Sequence, residues 1–398
     1  MQFYLAFWRF VRHNWRKGGL FLFCCLAVSL VLAGLFPMQP AAAVEIELES
    51  PSAILMEPVT GQILYEKDSH LRRAPASVTK LMTLVLACEA VEAGRVKLSD
   101  VVIASENAAR LGGSQIYLEP GEKMSLHDLL LAIAVGSAND ACVAVAEHIC
   151  GSHEEFVALM NQRAQELGMN DTHFVNAYGL PAERHYTSAY DMAVLGRYAL
   201  RFPLLLELTS VKEHDLRGGK FHLYNTNKLL WWYEGADGFK TGWVNEAGYC
   251  LAATAERGDL RLIAVTMGAP KRHGNFRDCM KLFNLGFARY SYKLIASPGQ
   301  VCGQVAVPNG KVSQVDAVCE DKVGALVSKG QEGEISWRCE LLPRVTAPVA
   351  AGQKLGEIVV LRRQEEIMRA DLVAAQDVEK CSFPALVKRF LLQFVEVE

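Results

Sequence analysis

Three short polar motifs, far apart in the chain, constrain its fold more than anything else in the 398 residues: Ser77-Val78-Thr79-Lys80, Ser137-Ala138-Asn139 and Lys240-Thr241-Gly242. Their separations are 60 positions (77 to 137) and 103 positions (137 to 240). Each motif alone is weak, since Ser-x-x-Lys turns up about once by chance in a chain of this composition. In this order they offer a serine with a lysine on the same helical face, a second polar pair, and a cation on a strand edge beside glycine. That set is what acylation of a serine by a substrate ending in a carboxylate requires. A chain that uses it must fold so that a helix start, a break between helices and a strand edge share one cleft.

The local patterns agree with that placement. Ser77 follows Pro75-Ala76 and opens a helix whose apolar residues are Val78, Leu81, Met82, Val85 and Leu86, through Cys88. Its hydroxyl then lies beside free backbone N–H groups, and Lys80, three residues on, faces the same side. A lysine takes a proton from serine only when neutral, and its ordinary pKa is about 10.4. Burial and a second cation, for which Lys240 is the candidate, push that value down. Ser137 and Asn139 fall in a break at 136–139, between helical segments Leu126–Val135 and Ala141–His148. There Ser137 can relay a proton to a leaving amine and Asn139 can hold a substrate amide; alternatively Asn139-Asp140 cap the second helix. Lys240 and the Thr241 hydroxyl suit a carboxylate, and Gly242 lets a substrate backbone approach. The N–H of Trp243, with that of Ser77, forms a candidate oxyanion hole.

Elsewhere, 52–57 and 62–65 read as a hairpin around Pro58-Val59-Thr60-Gly61, and 154–167 as a helix stopped by Gly168. Gly248–Ala255 and Leu260–Met267 read as an antiparallel hairpin, followed by a helix from about Phe276 to Tyr290. Beyond Tyr290 the pattern changes to short strands (301–307, 311–319, 334–342, 354–361, 367–373) separated by Pro308-Asn309-Gly310, Gly330 and Gly352. From Ser382-Pro384 onward Phe383, Leu386, Val387, Phe390, Leu391 and Phe394 recur at helical spacing. This describes an amphipathic helix, lying either on a membrane surface or on the β-domain.

The first 43 residues carry Arg9, Arg12, Arg16 and Lys17, no acid, an apolar run from Leu20 to Phe36 and then Ala41-Ala42-Ala43. That is the layout of a secretory signal cut before Val44, the alternative being an uncleaved anchor. The remaining chain holds 37 basic and 44 acidic residues, a balance that speaks against nucleic-acid binding. Nine cysteines lie outside the signal, an odd number whose spacings match no zinc module.

Several longer stretches go with the motifs: Ser137-Ala138-Asn139-Asp140-Ala141-Cys142, residues His185 to Met192, Asn225-Thr226-Asn227-Lys228, and Ala247-Gly248-Tyr249-Cys250-Leu251. With them the chain resembles the serine D-alanyl-D-alanine carboxypeptidases, the low-molecular-mass penicillin-binding proteins, from about Val44 to Tyr290. The resemblance implies an α+β fold. Its first part, over 44–290, is a penicillin-binding-protein/β-lactamase-like domain, an antiparallel sheet flanked by helices with a helical subdomain. A small all-β domain over 291–380 and a C-terminal amphipathic helix over 381–398, acting as a membrane anchor, follow.

It further implies Ser77 as the acyl-ester nucleophile, Lys80 as general base, Ser137 as proton relay and Lys240 as substrate-binding cation. The expected partners are peptidoglycan stem peptides ending in D-Ala-D-Ala, β-lactams as inhibitors and the membrane surface; no metal or cofactor is implied. Two departures stand out. Trp243 occupies a position where some members have histidine. The arginine that some members use for the substrate carboxylate would fall near Asn275, flanked by Arg272 and Arg277. Rival readings are a β-lactamase, which lacks a Glu-x-x-Leu-Asn segment here, a transpeptidase or endopeptidase, and a non-catalytic wall-binding protein of the same fold.

Overall fold

The computed structural model describes residues 46–382 together with Pro384 and Ala385. The export segment at 1–43 lies outside the described residues, as does the amphipathic segment at 383–394 apart from those two positions.

Five strands form the sheet that organises the first domain: β1 (Ser52–Met56), β2 (Ile63–Lys67), β3 (Ala236–Val244), β4 (Gly248–Arg257) and β5 (Leu260–Ala269). They lie in the order β2-β1-β5-β4-β3, every pair antiparallel. The β1–β2 turn closes because the Glu57 carboxylate accepts the N–H groups of Val59 (2.7 Å) and Thr60 (2.8 Å). Gly61 supplies the positive φ of +76° that follows. Strand β3, which carries Lys240-Thr241-Gly242, is therefore an edge strand, with one side open to other elements.

Helices cover both faces. In order they are α1 (Lys80–Glu92), α2 (Leu126–Ala134), α3 (Asn139–Cys150), α4 (His153–Glu166), α5 (Ala189–Ala199), α6 (Pro203–Thr209) and α7 (Gly274–Arg289). Serine side chains cap several starts: Ser125, Ser152 and Ser188 accept the N–H groups of Asp128, Glu155 and Asp191. Gly196 of α5 packs against Phe239 and Ile263, whereas Gly286 of α7 packs against Leu262 and Leu55. Since Leu262 and Ile263 are adjacent in a strand, the two helices lie on opposite faces of the sheet. Helix α1 is buried all round, ten of its thirteen residues being inaccessible. Each large apolar side chain taken out of water there contributes about 1.5–3 kcal/mol.

One local expectation is corrected. The second helix of the middle motif starts at Asn139, two residues earlier than the pattern suggests, and its cap residue is Ala138, with no side-chain cap. Asp140, inside the first turn and not at the cap position, accepts the N–H of Ala141 of that turn and those of Ile116 and Leu118 in the loop opposite.

The second domain has its own core, built on Val305, Val315, Ala317, Leu355, Ile358, Val360 and Leu372. Its strands are β6 (Tyr290–Ala296), β7 (Val301–Ala306), β8 (Gln314–Cys319), β9 (Val323–Ser328), β10 (Ile335–Leu341), β11 (Lys354–Arg362) and β12 (Glu365–Ala374). Five form a sheet in the order β7-β8-β12-β11-β10, while β6 pairs with β9. Strands β6 and β9 are not marked in the sequence. β6 follows α7 without a break, and β9 is buried over five consecutive residues and so lacks alternation. All nine cysteines of the described chain are free, and five of them are buried.

Candidate active site

Ser77 sits in a single 3-10 turn, Ala76–Thr79, that runs directly into α1. The turn is entered through Ala76 at a φ of +49°, the left-handed region that L-residues avoid. Lys80 is the first residue of α1, and its Nζ lies 2.8 Å from Ser77 Oγ and 2.5 Å from Tyr178 O. The ammonium has no solvent exposure, and burial pulls its pKa down to about 8 against the opposing pull of Cys142 and Asp140. A value near 8 leaves roughly a tenth of the amine neutral at pH 7. A neutral amine donates one N–H to Tyr178 O and accepts the Ser77 O–H, which is the arrangement a general base needs.

Strand β3 closes against this turn. A Cβ added at Gly242 would lie 2.9 Å from both Ser77 N and Val78 N, so glycine is demanded by the protein's own backbone. Lys240 is as buried as Lys80, and its pKa falls to about 7, first from burial and then from the charge on Lys80. Its Nζ has a backbone partner in Thr241 O at 3.3 Å. The Thr241 hydroxyl donates to Thr226 Oγ1 at 2.7 Å, and Asn227 Nδ2 donates to Gly238 O, so the 225–228 loop braces the outer edge of β3. Trp243 is 53 % exposed, its ring tilted beside that of Tyr249 with centroids 5.9 Å apart.

The middle motif comes in from the helical side. Ser137 is nearly buried and has a φ of +62° between α2 and α3. Asn139 donates through Nδ2 to Gly112 O at 2.7 Å, while its buried Oδ1 has no partner. An orphaned buried acceptor is costly, and a substrate N–H would satisfy it. Cys142, one turn along α3, shares the interior with both lysines and donates its S–H to Ala138 O.

Of the two arginines near Asn275, Arg277 is held by Glu49, with Nε 2.9 Å from Oε1, whereas Arg272 is exposed in the turn between β5 and α7. Asn275 itself is buried and donates to Cys250 O.

The segment 176–180 belongs to the site although no motif names it. Asn176 Oδ1 accepts the N–H groups of Tyr178 (3.2 Å) and Gly179 (2.6 Å), which presents Tyr178 O to Lys80. Its signal is an Asn-x-x-Gly turn, too common to single out without knowing what faces it.

Known proteins share these features. A family model described as D-alanyl-D-alanine carboxypeptidase matches residues 38–271, and one described as penicillin-binding protein 5, C-terminal domain, matches residues 290–380. D-alanyl-D-alanine carboxypeptidase DacF of Bacillus subtilis (strain 168) is 40% identical over 349 residues, 87% of this chain and 90% of that protein. Among solved structures, penicillin-binding protein 5 of Haemophilus influenzae aligns at a TM-score of 0.68 with 32% identity, covering 85% of this chain and 100% of that one. Penicillin-binding protein D2 of Listeria monocytogenes in its ampicillin-bound form aligns at 0.56 with 32% identity, over 61% of this chain and 99% of that one.

Proposed function

The chain belongs to the D-alanyl-D-alanine carboxypeptidase family, and from that premise we propose that Ser77 carries the acyl-enzyme of this hydrolase, which removes the terminal D-alanine from peptidoglycan stem peptides. The observation that carries the reading is the 2.8 Å contact between Ser77 Oγ and a fully buried Lys80 whose pKa is drawn down to about 8. Neutral Lys80 accepts the serine proton as Oγ attacks the penultimate D-alanine carbonyl. The oxyanion is received by the N–H groups of Ser77 and Trp243. As the C–N bond breaks, Ser137 gives its proton to the departing amine and is reprotonated by Lys80, so D-alanine leaves and Lys80 is neutral once more. Water then attacks the ester with Lys80 again as base.

Lys240 and Thr241 take the substrate carboxylate, Asn139 its amide, and Gly242 keeps β3 against the nucleophile. Arg272 is the candidate for a second carboxylate contact, because Arg277 is already paired with Glu49. β-Lactams acylate the same serine, as the ampicillin-bound relative suggests. The basic, apolar and small-residue layout of 1–43 supports export, and the spacing of Phe383 to Phe394 supports anchoring at the extracytoplasmic face of the cell membrane. Among the described residues, no helix is long and apolar enough to cross a membrane.

The test is incubation with a labelled penicillin, then with a peptide ending in D-Ala-D-Ala. A long-lived adduct on Ser77 with release of D-alanine is expected, and Ser77→Ala loses both. Rapid turnover of the penicillin would point to a β-lactamase, and no adduct at all would overturn serine acylation.

A further inference from the structure

Behind Ser77 runs a chain of hydrogen bonds that the acylation chemistry does not itself employ. The Val175 N–H donates to His185 Nδ1 at 2.9 Å, so that nitrogen is unprotonated and the ring proton resides on Nε2. Nε2 lies 3.1 Å from Thr79 Oγ1 and donates to it. The Thr79 hydroxyl in turn donates to Ala76 O at 2.8 Å. Both side chains are buried, and burial lowers the imidazole pKa to about 4, which keeps the ring neutral under ordinary conditions.

The last acceptor gives the chain its meaning. Ala76 O and Ser77 N–H belong to one peptide plane and, the bond being trans, point in opposite directions. A hydrogen bond on the carbonyl therefore fixes where the N–H aims and polarises it as a donor. The plane needs such support, because Ala76 holds a φ of +49°, at a cost of about 1–2 kcal/mol for an L-residue. Gly179 packs directly on the same peptide: a Cβ there would lie 1.9 Å from Ala76 O and 3.0 Å from Ser77 N.

We propose that His185, acting through Thr79, is a positioning residue that aims the Ser77 N–H at the oxyanion. This rests on the reading of Ser77 as nucleophile and oxyanion donor. An oxyanion forms both when the acyl-enzyme is made and when it is hydrolysed, so loss of the relay slows both steps and leaves ground-state binding largely unchanged.

Four variants separate positioning from simple support. His185→Asn keeps an acceptor for the Val175 N–H but is too short to donate to Thr79, while His185→Gln places an amide N–H near the Nε2 position. Thr79→Val removes the hydroxyl and Thr79→Ser retains it. Rates are measured per molecule titrated by penicillin. Thr79→Val and His185→Asn are expected to slow acylation and deacylation each by about tenfold, a modest part of what an oxyanion donor contributes. KM for a D-Ala-D-Ala peptide should stay within about twofold, since uniform binding is untouched, and His185→Gln and Thr79→Ser should be near wild type. Wild-type rates in His185→Asn, or a rise in KM alone, would overturn the relay. If Thr79→Val does not fold, the His185→Asn and His185→Gln pair decides. Ser77→Ala is the control: persistent labelling in that variant would remove the nucleophile reading itself, whereas its silence with full activity in His185→Asn removes only the relay.

Discussion

Lys80 and Lys240 share one dry interior, and burial favours the neutral form of each. Under the proposed mechanism, the substrate carboxylate would stabilise charge on Lys240 and leave Lys80 to lose its proton. The sign of the pH dependence follows. On that mechanism the working base is the deprotonated amine, so kcat should rise with pH as Lys80 of the complex loses its proton, a loss that burial already brings down to about 8 in the free protein. KM should rise above about pH 7 as free Lys240 loses its charge. Profiles of kcat and KM on a D-Ala-D-Ala peptide check both, and a kcat flat from pH 6 to 9 would exclude Lys80 as the base. Gly242 offers a test that involves no charge. A methyl group there meets Ser77 N and Val78 N at 2.9 Å, and neither backbone atom can rotate away. Gly242→Ala should cut the penicillin acylation rate about 10- to 100-fold, a loss of roughly 1.4–2.8 kcal/mol of transition-state stabilisation.

Elements place these residues through a few buried polar ties as well as through apolar packing. Asp278 on α7 is fully buried and accepts the N–H groups of Ser50 (2.7 Å) and Glu49 (3.2 Å), tying the segment that leads into β1 to the helix on the sheet's outer face. Asp278→Ala leaves those donors without a partner and should cost about 1–3 kcal/mol. The effect should appear as a lower urea midpoint with an unchanged m-value. The strands and helices that such ties join were legible in proportion to their local signals. The β1–β2 hairpin shows in its Pro58-Val59-Thr60-Gly61 turn, the β4–β5 hairpin in two apolar runs around a polar turn, α2 in an apolar run and α4 in a helical stretch stopped by Gly168. Helix α5 has the same kind of cap in Ser188 but lies outside the segments that apolar spacing singled out, as does α6, and β6 is hidden by its direct continuation from α7. Asn139 looked like a cap because its residue type favours that role; tertiary contact with Gly112 took its side chain elsewhere.

At the scale of the whole molecule, two cores lie in sequence along the chain, one around α1 and one in the β-domain. They meet through contacts such as Lys329 N–H to Arg289 O and Lys322 Nζ to Asp259 O. A chain ending at Lys380 should leave the membrane fraction while still binding penicillin; if it stays bound, the anchor lies elsewhere. Residue types and order alone determined the family, the pairing of Ser77 with Lys80 and the strand edge beside it, because these depend on motifs short enough to be read locally. Only the tertiary structure decided what surrounds them. That Lys80 is dry, that Gly242 yields to the protein's own turn, that Tyr178 O faces the amine and that His185 stands behind Ser77 all depend on contacts between segments far apart in sequence. Desolvation and close packing act through space, and no local pattern of residues records them.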